Sequence, residues 1–281
     1  MANFRFRGPI CQTRDWFDGL DDGTLARGRT PTVGPVAGAT SNQAPRRVRV
    51  TAKGRCAYLN PQAQGTVQAP ASAFERLRDN SDRATISDPA PRSSYTWPDK
   101  SISSAIERRI EIGSQSFVLI LPGGDAGAGK NLPTAAQVAE ALRAVPSTQR
   151  AHTKTIVVCP TAAPGSNSRE TTAGMGGSGV VELYPVDRAQ TQNDFDNRMT
   201  HECGHNYHEK FWQGNPEEMQ RWQNAADADS ARPSPYAART PAEDFCEFLI
   251  LYNTVLGTPC EETAQKIYPI RWNKMRSYVS L

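Results

Sequence analysis

Residues 195–211 read FDNRMTHECGHNYHEKF and contain the pattern His-Glu-x-x-His at positions 201–205. On a helix, two histidines four residues apart project from one face about a turn apart, so both rings can reach a single metal ion. Asp194 and Asp196 lie where this helix would begin, as caps or as favourable partners of its dipole. In a chain of 281 residues with 4 histidines, about 0.003 matches to the pattern are expected by chance. We therefore interpret the segment as a metal-binding helix.

The side chains of this motif divide into metal ligands and a proton acceptor. His201 and His205 are the candidate ligands, and zinc is the ion that such a helical pair typically binds. Glu202 is expected to point towards the open side of the metal, where it can take a proton from a bound water. His208 lies off the face that the two ligands share, so we predict a surface residue or one that supports a ligand. The alternative is a chance pair of helix histidines that binds no metal.

A catalytic zinc ion takes three protein ligands, so a third must come from elsewhere in the chain. A longer motif with Gly at 208 and His at 211 is excluded, because His208 and Phe211 stand there. The best segment downstream is AEDFCEF, residues 242–248, whose aromatic spacing is typical of a helix. Glu243 and Glu247 share a face of that helix, so one could bind zinc while the other hydrogen-bonds a ligand histidine. An ordinary solvated acidic face is the alternative.

HECGH followed by SPYAARTPAEDFCEF (residues 234–248) resembles the gluzincin metallopeptidases of the anthrax lethal factor and Pro-Pro endopeptidase type. In that family a tyrosine precedes the ligand glutamate by seven residues, and Tyr236 and Glu243 keep that separation (243 − 236 = 7). The gap from His205 to Glu243 (243 − 205 = 38) is also typical of the group. The resemblance does not extend to residues 1–94.

The resemblance implies a zincin-like fold that cleaves peptide bonds in a polypeptide substrate. The zinc ligands it implies are two histidines and a glutamate: His201, His205 and Glu243. It makes Glu202 the general base towards a zinc-activated water and Tyr236 the hydrogen-bond donor to the transition state, while Glu247 would support a ligand without binding the ion. Such peptidases present a strand edge to an extended substrate just upstream of the motif helix, which here would be residues 180–184. An ordinary core strand is the alternative at that position.

The remainder of the chain predicts an α+β domain with a small mixed sheet followed by helices. The expected strands are 108–112, 115–121, 155–159 and 180–184. The expected helices are 133–145, 195–211, 216–228, 241–256 and 261–278. A glycine-rich loop over 165–179 is expected to lead into the last strand.

Residues 1–94 are rich in Pro, Gly, Ser, Thr and Arg and have little apolar periodicity. We predict a loosely structured N-terminal region of unknown function, dispensable for catalysis, followed by a catalytic domain over 95–281. Its short pieces of structure are strands at 47–52 and 56–59 and a helix at 71–78, and a linker at 87–97 closes it.

Composition limits the classes of partner. A charged fraction of 22% and a hydrophobic fraction of 38% fit a soluble globular protein, and a net charge of +3 is too small to indicate nucleic acid or a membrane surface. The N-terminus lacks the apolar stretch of a secretory signal, so we expect synthesis in the cytoplasm. Export would need a dedicated secretion system, as for a secreted or injected bacterial effector or toxin. The 6 cysteines form no CxxC pair, which argues against a thiolate zinc site. Buried reduced thiols are favoured over one or two disulfides.

Three other functions remain open from the sequence. A zinc hydrolase that acts on a non-peptide amide and a catalytically silent zincin that serves as a binding module would both keep the motif. Nucleotide binding is suggested by GDAGAGK at residues 124–130, which matches GxxxxGK. Asn131 stands where a phosphate-binding loop needs a Ser or Thr hydroxyl, so we interpret the segment as a flexible loop.

Overall fold

A seven-stranded mixed sheet carries the helices in the computed structural model, which describes residues 51–60, 65–166, 172–229 and 231–280. These residues belong to a compact unit that spans Arg49–Leu281. The predicted α+β class is confirmed. In the part of the chain that is described, none of the helices combines the length and apolar character that a bilayer-spanning segment requires.

The strands are numbered in chain order: β1 (Ala84–Ile86), β2 (Ala90–Thr96), β3 (Ile102–Ile112), β4 (Gln115–Pro122), β5 (Thr155–Val158), β6 (Gly174–Gly177) and β7 (Val180–Leu183). Their order across the sheet is β1-β3-β4-β5-β7-β6, and β2 also pairs with β3. The pairs β4–β5 and β5–β7 are parallel, and the other pairs are antiparallel. The four strands predicted after residue 94 all lie in this sheet, as β3, β4, β5 and β7.

The α-helices are α1 (Ala71–Asp79), α2 (Ala135–Ala144), α3 (Ser147–Arg150), α4 (Gln192–Trp212), α5 (Pro216–Ala228), α6 (Pro241–Val255), α7 (Glu261–Ile267) and α8 (Pro269–Val279). The predicted helices before residue 257 correspond to α1, α2, α4, α5 and α6. The single helix predicted over 261–278 is wrong, because the chain breaks at Tyr268. Pro269 lacks the N–H that would continue a helix and instead opens α8.

A capping box begins α4. The Thr191 hydroxyl accepts a hydrogen bond from the Asp194 backbone N–H, and the Asp194 carboxylate accepts one from the N–H of Thr191. Asp196 is instead fully buried and accepts a hydrogen bond from Arg78 at 2.7 Å. Of the two aspartates expected at the helix start, Asp194 therefore caps the helix, whereas Asp196 fastens it to α1.

Two apolar cores hold α4 in place. Phe195, Met199 and Cys203 recur every four residues and pack into the core between the sheet and α2. Tyr207 packs into a second core around α6 and α8, and its hydroxyl donates to the Tyr278 carbonyl at 3.0 Å. The motif helix is therefore packed on two sides, and this packing sets which of its faces carries the polar residues of the motif.

The segment from 51 to 94 is part of the compact unit, so the boundary predicted between residues 94 and 95 moves to Arg49. Phe74 of α1 is fully buried in the second core, and β1 and β2 pair with β3. The piece predicted as a strand at 56–59 is a 3₁₀ helix, and most of the predicted linker at 87–97 is β2. The predicted strand at 47–52 lies mostly outside the described residues.

Two of the cysteines in this unit are bonded. Cys56 forms a disulfide with Cys260, which ties the start of the compact unit to α7. Three thiols are free and buried: Cys159, Cys203 and Cys246. The preference for reduced thiols thus fits three of the cysteines and is wrong for Cys56 and Cys260.

The edge strand of the sheet is β6, not the predicted strand at residues 180–184. β6 lies at the end of the strand order, whereas β7 lies between β5 and β6, so residues 180–184 are not an edge. The sequence of β6, Gly-Met-Gly-Gly, was expected in a loop because glycine has little preference for strands. Its backbone nevertheless pairs with β7 over four residues, from Gly174 to Gly177.

Candidate metal centre

The site forms where α4 packs against α6. Gly204, inside the His-Glu-x-x-His pattern, faces Cys246 of α6, and a Cβ atom at position 204 would lie 3.0 Å from the Cys246 sulfur. The absence of a side chain at Gly204 therefore lets the two helices approach closely. This approach brings the polar residues of α6 to the histidines of α4.

The three ligands that the resemblance implies converge on one point. His201 Nε2 lies 2.9 Å from Glu243 Oε2, and His205 Nε2 lies 3.5 Å from the same oxygen. Burial alone would lower the pKa of His201, but its contacts with Glu243 and Glu247 raise it well above the ordinary value. Burial would raise the pKa of Glu243, and its hydrogen bonds with the two histidines lower it instead.

Cys246 is a second candidate for the third ligand, although the absence of CxxC pairs argues against a thiolate site. Ligand atoms of His201, His205 and Cys246 all lie within 4.8 Å of one another, so this group could hold a metal ion. The Cys246 side chain is completely buried, and burial raises the pKa of its thiol well above the ordinary value. We favour Glu243, because its carboxylate meets the Nε2 atoms of both histidines directly, whereas the sulfur faces Gly204.

Glu247 supports His201 from behind. Its Oε1 lies 3.0 Å from His201 Nδ1, and its Oε2 accepts hydrogen bonds from the Val67 backbone N–H and the Ser234 hydroxyl. A carboxylate at Nδ1 favours the tautomer that carries its proton there and leaves Nε2 as the electron-pair donor. Glu247 therefore makes the contact with a motif histidine that the sequence predicts for one of the two glutamates.

His208 supports the other histidine. Its Nε2 lies 3.2 Å from His205 Nδ1, and its ring stacks on Trp212 with centroids 4.6 Å apart. Burial lowers the pKa of His208 to about 3, which favours a neutral ring whose Nε2 can accept a hydrogen bond from His205 Nδ1. Of the two alternatives left open for His208, the structure favours support of a ligand, because the side chain turns towards Trp212 and away from solvent.

Glu202 faces a cavity that His201 also lines. The cavity measures about 440 Å³, and His201, Glu202 and Tyr236 all line it. Glu202 is 6% exposed, and burial raises the pKa of its carboxyl group. A carboxylate with a raised pKa at a cavity wall is suited to accept and return a proton.

The edge strand β6 lies directly on Glu202. A Cβ atom at Gly174 would lie 2.5 Å from Glu202 Oε1, and one at Gly176 would lie 2.1 Å from the Glu202 carbonyl oxygen. At Gly176 the contact is with backbone, so a side chain does not fit there, whereas a side chain at Gly174 would displace the Glu202 carboxyl group. The glycines of β6 thus allow the close approach of the strand to the motif helix, which the sequence alone does not reveal.

Tyr236 reaches the same group of residues from a 3₁₀ turn before α6. Its hydroxyl donates to Glu243 Oε1 at 3.2 Å, and its ring centroid lies 5.7 Å from that of His201. Burial and then the charge of Glu243 raise the pKa of the phenol above the ordinary value. The phenol thus keeps its proton and remains a hydrogen-bond donor.

The glycine-rich segment at 124–130 does not line this cavity. It forms turns after β4, and α2 begins only at Ala135, capped by the Thr134 hydroxyl. A phosphate-binding loop leads directly into a helix whose first N–H groups face the phosphate. This segment lacks that continuity, which agrees with its interpretation as a loop.

Two histidines with an adjacent carboxylate and thiol, next to a cavity lined by a buried glutamate, define the class of this site as a candidate metal centre. No family model, no curated protein and no solved structure matches this chain. Function must therefore be inferred from the residues of the site.

Proposed function

We propose that this protein is a zinc-dependent endopeptidase of the gluzincin class with a zincin-like fold. The observation that carries the proposal is the contact of Glu243 with His201 and His205, while Glu202 faces the cavity that His201 lines. Two imidazoles and one carboxylate with an open side are a typical ligand set of catalytic zinc, whereas structural zinc sites are closed by four protein ligands.

The donor set fits zinc, and His201, His205 and Glu243 would hold it. When bound, zinc supplies a Lewis acid that polarises a carbonyl oxygen and lowers the pKa of a water to about 7. Glu247 and His208 would keep the two imidazoles oriented, because each contacts the Nδ1 atom of one ligand.

Glu202 is the proposed general base and then general acid. It takes a proton from the water as the oxygen of that water attacks the peptide carbonyl carbon. It returns the proton to the amide nitrogen as the carbon–nitrogen bond breaks, so the carboxylate ends each cycle unchanged. The hydroxyl of Tyr236 would donate a hydrogen bond to the negative charge that develops on the carbonyl oxygen.

The position of β6 supports a polypeptide substrate over a small amide. β6 is the last strand of the sheet and lies directly on Glu202. An extended peptide can add to a sheet edge through backbone hydrogen bonds, which would carry its carbonyl groups past the carboxylate. We therefore assign to β6 the strand edge for an extended substrate that was predicted at residues 180–184.

The disulfide between Cys56 and Cys260 supports the proposal that the protein leaves the cytoplasm. Disulfides persist mainly in oxidising surroundings such as the cell exterior. Release as a secreted or injected effector or toxin is consistent with this bond.

Profiling of new N-termini in a cell lysate tests the proposal. The lysate is treated with zinc-loaded wild-type protein or with Glu202→Gln, which keeps the side-chain size but removes the proton acceptor. New N-termini should appear with the wild type and be absent with the variant. If zinc binds and no peptide bond is cleaved, the protein is a binding module or acts on another amide.

A further inference from the structure

Arg198 brings a positive charge to the wall of the cavity. It lies one helical turn before Glu202 on α4 and lines the same cavity. Its Nη1 atom is buried and has no hydrogen-bond partner among the described residues. A guanidinium remains charged at any relevant pH, and burial of an unpaired donor is costly.

Two acidic residues on the same helix pair with other arginines. Asp194 accepts hydrogen bonds from Arg188, at 2.7 Å and 3.2 Å, and from Thr191. Asp196 pairs with Arg78 on another face. Glu202 forms no ion pair with Arg198 within the described chain, and it is the proposed base.

The other charged residues that line the cavity have different surroundings. Arg188 is paired with Asp194, and the guanidinium of Arg239 lies 4.9 Å from the ring centroid of Tyr236. Glu247 faces His201, Ser234 and the Val67 N–H. Among the described residues that line the cavity, Arg198 combines a positive charge with a buried Nη1 that has no hydrogen-bond partner, and its guanidinium carbon lies 5.7 Å from the ring centroid of Phe195.

We propose that Arg198 binds a carboxylate of the substrate next to the reacting bond. This inference rests on the proposed function and adds a substrate class to it, namely peptides with an Asp or Glu side chain beside the cleavage site or with a C-terminal carboxylate at that place. A guanidinium suits this role because it offers parallel N–H groups that match the two oxygens of a carboxylate.

Cleavage of a peptide library made from a proteome digest tests the preference. One half of the library keeps free C-termini and the other half is amidated. The wild type should favour Asp or Glu at one position near the cut in both halves, or else require the free C-terminus. Arg198→Gln should lose that preference. Arg188→Gln is the matched control, because this arginine also lines the cavity but is paired, and it should keep the wild-type preference.

A binding measurement separates the inference from the proposed function. The probes are the α-hydroxamic acids of N-acetylglutamate and N-acetylglutamine, which differ only in the side-chain carboxylate. Zinc-loaded wild-type protein should bind the glutamate probe about 10- to 100-fold more tightly, and Arg198→Gln should bind both equally. Zinc content and thermal unfolding confirm that the variant is folded.

The outcomes separate the two ideas. A carboxylate preference in binding without cleavage of any peptide would contradict the endopeptidase and leave the role of Arg198 standing. Cleavage without an acidic or C-terminal preference would contradict the role of Arg198 alone. If the wild type neither favours the glutamate probe nor requires a free C-terminus in the library, or if Arg198→Gln weakens both probes equally, Arg198 does not bind a substrate carboxylate.

Discussion

His201 and Glu247 form a buried pair in which Nδ1 of the histidine lies 3.0 Å from Oε1 of the glutamate. The opposite ring nitrogen of His201 points at Glu243, 2.9 Å away. One side of the imidazole is therefore held by Glu247 and the other is presented where a metal would be bound. Glu247 is fully buried on α6, so this contact connects His201 to the packed interior of the protein.

Glu247→Gln should weaken zinc binding without removing any proposed ligand. The amide keeps the shape but no longer stabilises the proton on His201 Nδ1, and loss of such a supporting contact costs about 10- to 100-fold in metal affinity. Titration with zinc in a metal buffer measures the change. Glu217→Gln, at a glutamate with 82% side-chain exposure on α5, is the control and should bind zinc normally. Unchanged affinity in Glu247→Gln would remove Glu247 from the support of the site.

Substitutions on α6 distinguish the two candidates for the third ligand. Glu243→Gln should lower zinc affinity far more than Glu247→Gln, because it removes a ligand instead of a support. Cys246→Ser should retain zinc. Replacement of zinc by cobalt adds a spectroscopic measurement, since a thiolate ligand gives a strong charge-transfer band in the near ultraviolet. The appearance of that band in the wild type and its loss in Cys246→Ser would make Cys246 the ligand.

Tyr236→Phe should lower kcat by about 10²- to 10³-fold with little change in KM or zinc content. Phenylalanine keeps the ring against His201 and removes only the hydroxyl that would stabilise the transition state. Steady-state kinetics on one cleaved peptide measure the effect. Wild-type turnover in this variant would restrict Tyr236 to packing and to its hydrogen bond with Glu243.

The segment that includes α1, β1 and β2 should be necessary for folding. A chain that begins at residue 49 should unfold cooperatively, whereas one that begins at residue 95 should not fold, because it lacks Phe74 and one half of the disulfide. Replacing both Cys56 and Cys260 with serine should cost about 2–5 kcal/mol in the free energy of unfolding, measured with urea. A folded, zinc-binding chain from residue 95 would restore the boundary that the sequence suggested.

The elements predicted correctly are those that short sequence patterns define. The motif helix, its acidic start and the helix of Glu243 follow from spacing and caps, and the hairpin of β3 and β4 follows from apolar runs around Gly113. The residues of the site could be selected because metal chemistry restricts the types and spacings of ligands.

Features that depend on distant contacts could not be predicted in this way. β6 is a strand through its pairing with β7, and its glycines allow close approach to Glu202, yet nothing in the sequence around 174–177 indicates either neighbour. His208 contacts His205 only because its ring turns onto Trp212. The contribution of residues 51–94 was missed because their composition is typical of a linker, while a few buried side chains such as Phe74 anchor them.

X-ray absorption at the zinc edge of the zinc-loaded wild-type protein identifies the atoms that bind the metal. We expect one zinc per chain, bound by nitrogen and oxygen alone, with the scattering signature of two imidazoles and a carboxylate. That signature should lose one imidazole or the metal itself in His205→Ala. Failure to retain zinc, or a sulfur atom among its ligands, would contradict a centre formed by His201, His205 and Glu243.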